Sequence, residues 1–261
     1  MSPRVVRISI APVKALGLVH QNEVELGVHG VVGNRRFVLY DEDGRLFNGK
    51  RNGTMVQIRP EWDEATRRLA LTFPDGRRIE DVVELGEQVV TNMYGYQLPS
   101  RLVRGPWQEA ISRFVGEPLT LLWAEDGAVD RSTRGGTVSL VSRASLERLR
   151  EEAGAASPVD GRRFRMLFEI DGVGAHEEDD WLGEQVQLGD ATIVLNGDVG
   201  RCVVTSHDPD RGVTDLDTLG TLARYRREGV TESLPFGVYG AVAVPGRVRV
   251  GDAVRAPVAA T

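Results

Sequence analysis

Cys202 is the only cysteine in 261 residues, and it stands in NGDVGRCVVTSHDPDRG, Asn196 to Gly212, between an arginine and a turn built from aspartates and a proline. A lone thiol has two readings. It is either a small apolar residue of the core, or a soft donor that positive charge turns into a reactive thiolate or a metal ligand. A single cysteine excludes an internal disulfide, a four-cysteine zinc site and a cysteine-ligated iron–sulfur cluster. One thiolate does not hold a bare metal alone, so a metal bound here would arrive already chelated on a cofactor. Arg201 is the nearest candidate charge, although adjacent residues on a strand face opposite ways.

Other chemistries find less support. His207 follows Cys202 by five residues, an odd spacing that separates the two side chains on an extended strand unless a turn intervenes. It has a second possible use, as a proton donor, because histidine titrates in the right range; the plain alternative is a surface histidine in a turn. The other histidines, His20, His29 and His176, form no H-x3-H or HExxH pattern. HEEDDW, His176 to Trp181, crowds four carboxylates together and reads as a solvated acidic loop rather than a cation site. There is no G-x-S-x-G elbow, no GxGxxG after a strand and no GxxxxGK[ST], which removes serine hydrolase, dinucleotide and P-loop chemistry.

The formal net charge of -6 argues against a nucleic-acid-coating protein, so any phosphate must meet a local basic patch. Of 32 basic residues only Lys14 and Lys50 are lysines, which singles those two positions out. The start, MSPRVVRISIAPVK, carries no secretory-type apolar core, and no run approaches the ~20 apolar residues of a membrane span. A cytoplasmic protein with no membrane partner is the expectation.

The elements that would carry these residues are mostly strands. VVRISI, NEVEL, RFVLY and TMVQI read as strands, and RLALTF-PDGR-RIEDV as a hairpin across an Asp-Gly turn. Pro106 to Gly116 reads as a short helix followed by the strand PLTLLWA. SRASLERLREEAG reads as a helix capped by Ser142 and closed by Gly154. After FRMLFEI, the segment EQVQLGDATIVLNG turns at Gly189-Asp190. TDLDTLGTLARYRREG is a helix with Leu216, Leu219, Leu222 and Tyr225 on one face, stopping at Gly229. FGVYGAVAVPGRVRVGDAV reads as two strands joined by Pro245-Gly246. Strands joined by tight turns, with few helices, predict a mainly β (α+β) chain of antiparallel barrels or sandwiches.

GRCVVTSHDPDRGVTDLDTLGTLARYR resembles the signature of MOSC domains: an Arg-Cys pair, a Thr, an Asp-Pro-Asp turn with Gly, then a Leu-rich helix ending in Tyr-Arg. IAPVKALGLVHQNEVELGVHGVVGNRRFVLYDEDG is similar to the β-barrel module that precedes MOSC in one branch, through its Pro-Val-Lys turn and Arg-Phe strand. VDGRRFRMLFEIDG, the EEDDW run and the C-terminal strands look like later segments of the same domain. The resemblance implies an N-terminal β-barrel module over 1–122 and a MOSC β-barrel domain over 123–261. It points to the amidoxime reducing component branch, whose members bind a molybdenum cofactor (molybdopterin) through one cysteine and reduce N-hydroxylated compounds.

Carried onto this chain, the resemblance implies Cys202 as the molybdenum ligand. Lys14 and Arg36 fall where the family contacts the pterin and its phosphate, and Arg163 and Arg165 offer further anion contacts. Arg201 and Thr205 stand near the metal, with His207 as a proton donor. Three departures from the family pattern bear on cofactor retention: Ala15 in place of Ser after the lysine, Met166-Leu167 in place of Pro-Asn, and Gly200 in place of a small polar residue before Arg-Cys. Electrons would come from a separate ferredoxin- or flavin-type reductase. Two alternatives stand beside this reading, a sulfur carrier with a persulfide on Cys202 and a non-catalytic binding module.

Overall fold

The first strand of the chain, Arg4–Ile10, pairs with Phe168–Asp171, more than 150 residues away. That pairing comes from a computed structural model that describes residues 2–130 and 135–257. Val5 and Ile8 are fully buried while Arg4 and Arg7 stay wetter; this spacing of three keeps one face on the core because the pairing slips by one residue, a bulge, between Val5 and Arg7. This strand, with Val19–Gln21 beside it, completes an eight-stranded sheet whose other six strands come from the C-terminal half. The sheet runs, in order, through Val254–Arg255, Gln185–Leu188, Ala191–Gly200, Pro235–Val244, Val138–Ser142, Phe168–Asp171, Arg4–Ile10 and Val19–Gln21. The Val138–Ser142 and Phe168–Asp171 pair is parallel and the other pairs are antiparallel.

A five-stranded sheet, built on Phe37–Asp41 and Leu119–Ala124, and the three-stranded Arg59–Asp63, Arg68–Thr72, Arg78–Val82 meander make up most of the N-terminal half. They enclose a second core around Phe37, Phe47, Met55 and Trp107. The architecture is mainly β with three α-helices among the described residues. The named strand orders are open, but the segment leading into Val254–Arg255 also bonds to the first strand, Val5 N donating to Asp252 O at 2.9 Å and Gly251 N to Val5 O at 2.8 Å, so backbone bonds join the two sides of the large sheet. No described helix is long and apolar enough to cross a membrane.

Helix α1 (Trp107–Val115) ends at Gly116 with φ 80°, and α2 (Arg143–Ala153) starts on the Ser142 side chain and ends at Gly154 with φ 62°. Helix α3 (Thr218–Tyr225) is shorter than its Leu periodicity suggests: Asp217 caps it, and Arg226 leaves the helical conformation. The Arg226 guanidinium pairs with Asp179 and donates to Pro235 O, drawing the chain out of the helix.

Two expectations are corrected. TMVQI lies mainly in a 3-10 turn, Gly53–Gln57, because the Asn52 side chain accepts from Thr54 N and caps it. The two strands expected to meet at Pro245-Gly246 are present, Pro235–Val244 and Gly246–Arg249, and the second leaves the large sheet to pair with Glu23–Gly27. HEEDDW is solvated only in part: Glu177 and Asp180 are exposed, but the run forms a 3-10 turn, Glu177–Trp181, that turns one carboxylate inward. Glu178 is fully buried, accepting from Ser142 N at 3.1 Å and Ser145 Oγ at 2.7 Å at the N-terminus of α2, where a helix end favours negative charge. Burial pushes its carboxyl up.

Candidate functional site

Residues from both halves of the chain line a cleft of about 1110 Å³, just above the usual range for ligand pockets. Eight of its lining side chains are basic and five acidic, the reverse of the chain's net charge of -6. Both lysines, Lys14 and Lys50, line it.

Cys202 is half-buried on one wall. It follows the strand Ala191–Gly200 and immediately precedes a 3-10 turn, Val203–Ser206. The turn that the Cys202–His207 spacing requires is therefore present, and both residues line the cleft. Thr205 is buried, and its Oγ1 donates to Cys202 O at 2.9 Å, while Thr218 Oγ1 from α3 donates to Thr205 O at 2.9 Å. The helix after the motif thus holds the cysteine's backbone. Arg201 lies over the Phe164 ring, 5.1 Å from its centroid, and donates to Phe236 O, to Phe164 O at 3.0 Å and to Met166 Sδ at 3.0 Å. These bonds tie the 164–166 loop to the strand Pro235–Val244.

A second part of the lining carries a cluster of cations. Lys14 N is fixed on Phe37 O at 2.8 Å, which aims the side chain inward. Its buried ammonium pairs with Asp130 and donates to Ala128 O at 3.2 Å. Arg35 reaches the other oxygen of Asp130 at 3.4 Å. Arg165 donates to Leu16 O at 2.7 Å and adds its charge to the same cluster. Burial, opposed by Asp130 and reinforced by Arg35 and Arg165, lowers the Lys14 pKa to about 8. Burial and Arg35 likewise lower Arg165 to about 9, still charged at neutral pH. Among the described residues, then, three cations share one carboxylate, an arrangement that favours an added anion.

Arg163 forks onto Asp215 at 2.6 and 2.8 Å and donates to His207 O at 2.7 Å. It holds the histidine's segment in place. Burial, ahead of the repulsion by Arg163, lowers the His207 pKa despite the attraction of Asp215. A second histidine, His20, lines the cleft with its Nδ1 3.0 Å from the buried Ser9 Oγ.

Of the residues singled out from the sequence, Lys14, Arg163, Arg165, Arg201, Cys202, Thr205 and His207 line this one cleft. Arg36 does not. Its guanidinium lies 4.7 Å from the Trp123 ring centroid and donates to Glu125 O at 2.6 Å. Arg35 lines the cleft in its place, from a left-handed turn with φ 52°. In Asn-Arg-Arg ahead of a strand, consecutive side chains must diverge, and that was the only sequence signal for Arg35. Asp130 and Tyr94 carry no such signal.

The three departures from the family pattern have local reasons. Ala15 is buried with φ 74°, and Met166 and Leu167 fill two different cores. A Cβ at Gly200 would overlap the Glu232 carboxylate, which accepts from Gly200 N at 3.1 Å.

The loop 48–53 from the N-terminal half packs against the cysteine loop. A Cβ at Gly53 would overlap Gly212 O and lie 2.8 Å from His207 Nδ1. Gly53→Ala is therefore expected to cost about 1–3 kcal/mol through overpacking, whereas Gly27→Ala, whose Cβ would find only an ordinary contact at 3.6 Å, is expected to cost well under that. Denaturant unfolding of the two variants against wild type measures the difference.

Residues 2–115 match the family model of the MOSC N-terminal beta barrel domain, and residues 131–255 match that of the MOSC domain. Mitochondrial amidoxime-reducing component 1 of Xenopus laevis is 26% identical over 283 residues, covering 95% of this chain and 80% of that protein. The mouse protein of the same name is 36% identical over 122 residues, 44% of this chain and 35% of its own length. A molybdenum cofactor sulfurase of Anopheles gambiae is 27% identical over 85% of this chain and 32% of its own. The chain thus spans about a third of the mouse and mosquito relatives.

Proposed function

This chain belongs to the MOSC-domain proteins, a MOSC N-terminal beta barrel domain joined to a MOSC domain, and from that premise we propose that it holds a molybdenum cofactor in the cleft and reduces small N-hydroxylated or N-oxide compounds. The observation that carries the reading is the pairing of a soft donor, Cys202, with an excess of cations, Lys14 buried among them, in the lining of one cavity. The donor set fits a pterin-borne metal: the thiolate suits the metal, and Lys14, Arg35 and Arg165 suit a dianionic phosphate. When bound, the cofactor supplies two-electron chemistry and an oxygen acceptor.

The chain's own residues do the rest. Cys202 anchors, the cation cluster orients the anionic end, and the apolar Phe164, Met166 and Val204 along the cleft exclude water. His207 delivers a proton to the departing oxygen. Its lowered pKa means that the protonated, donating form accumulates only as pH falls below 6.5. The rate is expected to rise toward acid with an inflection below 6.5, and His207→Gln is expected to lose that inflection and about 100-fold in kcat. An unaltered pH profile in the variant would remove His207 from the reaction. Electrons reach the site from a ferredoxin- or flavin-type donor outside these residues.

The test of the whole reading is molybdenum content and amidoxime reduction, with a chemical reductant, of protein made in a host that synthesises the cofactor. Near-stoichiometric metal with turnover supports it; protein free of molybdenum overturns it. The similarity to a cofactor sulfurase favours one second reading, transfer of sulfur from a persulfide on Cys202. That reading requires sulfane sulfur on the protein and leaves the cation cluster without a use.

A further inference from the structure

The hairpin of Glu84–Met93 and Tyr96–Arg104 ends in a two-residue loop, Tyr94-Gly95, with Met93 opposite Tyr96. Both loop residues have positive φ, 53° and 93°, the pattern of a type I′ turn. Asn or Gly is the ordinary occupant of the first position, because a bulky side chain there is strained. Tyr94 keeps that strain without core packing in return, since the residue is 53% exposed.

Its ring instead lines the cleft. The Lys14 ammonium lies 5.8 Å from the ring centroid, and the phenol oxygen accepts from Asn48 Nδ2 at 3.3 Å, from the loop that packs on the cysteine loop. The side chain therefore reaches from the hairpin tip, past the cation cluster, to the segment beside Val204. Strain held at an exposed aromatic that faces a cavity is a mark of function rather than of folding.

We propose that Tyr94 is the substrate-selecting wall of the cleft: its ring stacks flat, conjugated N-hydroxylated substrates on their way to Cys202 and so favours aryl amidoximes over alkyl ones. The inference rests on the functional reading above for its substrate class. Stacking of this kind works through offset or edge-on ring contact, which an alkyl amidoxime cannot make.

The experiment compares wild type, Tyr94→Phe and Tyr94→Asn in three measurements. The first is the kcat/KM ratio for benzamidoxime over acetamidoxime, which carry phenyl and methyl on the same amidoxime group. The second is benzamidine affinity of the cofactor-free protein by calorimetry, and the third is the thermal midpoint. Tyr94→Asn, which suits the left-handed turn, is expected to raise the midpoint by roughly 2–4 °C while lowering both the ratio and the benzamidine affinity about tenfold. Tyr94→Phe keeps the ring and is expected to keep the preference.

An unchanged ratio and unchanged benzamidine affinity in Tyr94→Asn would overturn the proposal. A loss of stability in Tyr94→Asn would show the residue to be structural and would overturn it as well. If the wild type carries no molybdenum, the functional reading fails by itself, and benzamidine affinity still decides for or against the stacking wall.

Discussion

Cys202→Ser, made beside the wild type in a host that synthesises the molybdenum cofactor, is expected to retain at least about tenfold less molybdenum. Loss of an outer partner of a metal ligand already costs roughly 10–100-fold in affinity, and loss of the ligand itself costs no less. The substitution is close to isosteric at a half-buried position. The cysteine's backbone carbonyl, which accepts from Thr205, remains. The thermal midpoint should therefore move by no more than about 2 °C, and the metal deficit is then not a folding defect. Equal molybdenum in the two proteins would show that the thiolate is not the anchor. Sulfane sulfur on the wild type, without molybdenum, would instead support the persulfide reading.

Lys14→Met is expected to separate binding from stability in the opposite sense. The folded pKa of about 8 lies below the ordinary 10.5, so the unfolded chain holds this proton more tightly. The ligand-free fold bears the full cost at neutral pH, on the order of 3 kcal/mol, and recovers it as pH rises from 8 to 10.5. Methionine fills the same space without charge, and Asp130 keeps Arg35 as a partner at 3.4 Å. The cofactor-free variant should thus be as stable as wild type at pH 7, or more stable by about 1–3 kcal/mol. The gain of stability between pH 8 and 10.5 should disappear.

Molybdenum retention should fall by about an order of magnitude, and inorganic phosphate should bind about tenfold more weakly, as a lost charge-assisted contact of 1.5 kcal/mol or so requires. Urea unfolding across that pH range and a phosphate titration check both halves. A variant that loses stability at pH 7 while holding phosphate as well as wild type would make Lys14 a structural partner of Asp130 and nothing more. Stability sacrificed at a site in exchange for ligand affinity is a common pattern at functional positions.

Much of this protein was written locally. The Ser142 and Gly154 caps of α2, the Asp-Gly turn between Arg68–Thr72 and Arg78–Val82, and the Gly189-Asp190 turn lie within a few residues of the backbone groups they satisfy. The Arg-Cys motif is equally local, and with the Pro-Val-Lys turn it sufficed to point to the MOSC domains and to Cys202 as the candidate ligand. Periodicity, however, says which face of a strand is buried and not which strand it meets.

Only the tertiary structure therefore decided that Arg4–Ile10 belongs beside Phe168–Asp171, and that Gly246–Arg249 turns away to Glu23–Gly27. It likewise decided that Arg35 and not Arg36 enters the cleft, because adjacent side chains diverge and a left-handed residue sets which one points in. Glu178 was misread as solvated because four neighbouring carboxylates look alike in sequence. Its buried partners, Ser142 and Ser145, arrive from 36 and 33 residues away. Burial and charge balance are sums over such distant neighbours, and no short window of sequence contains them.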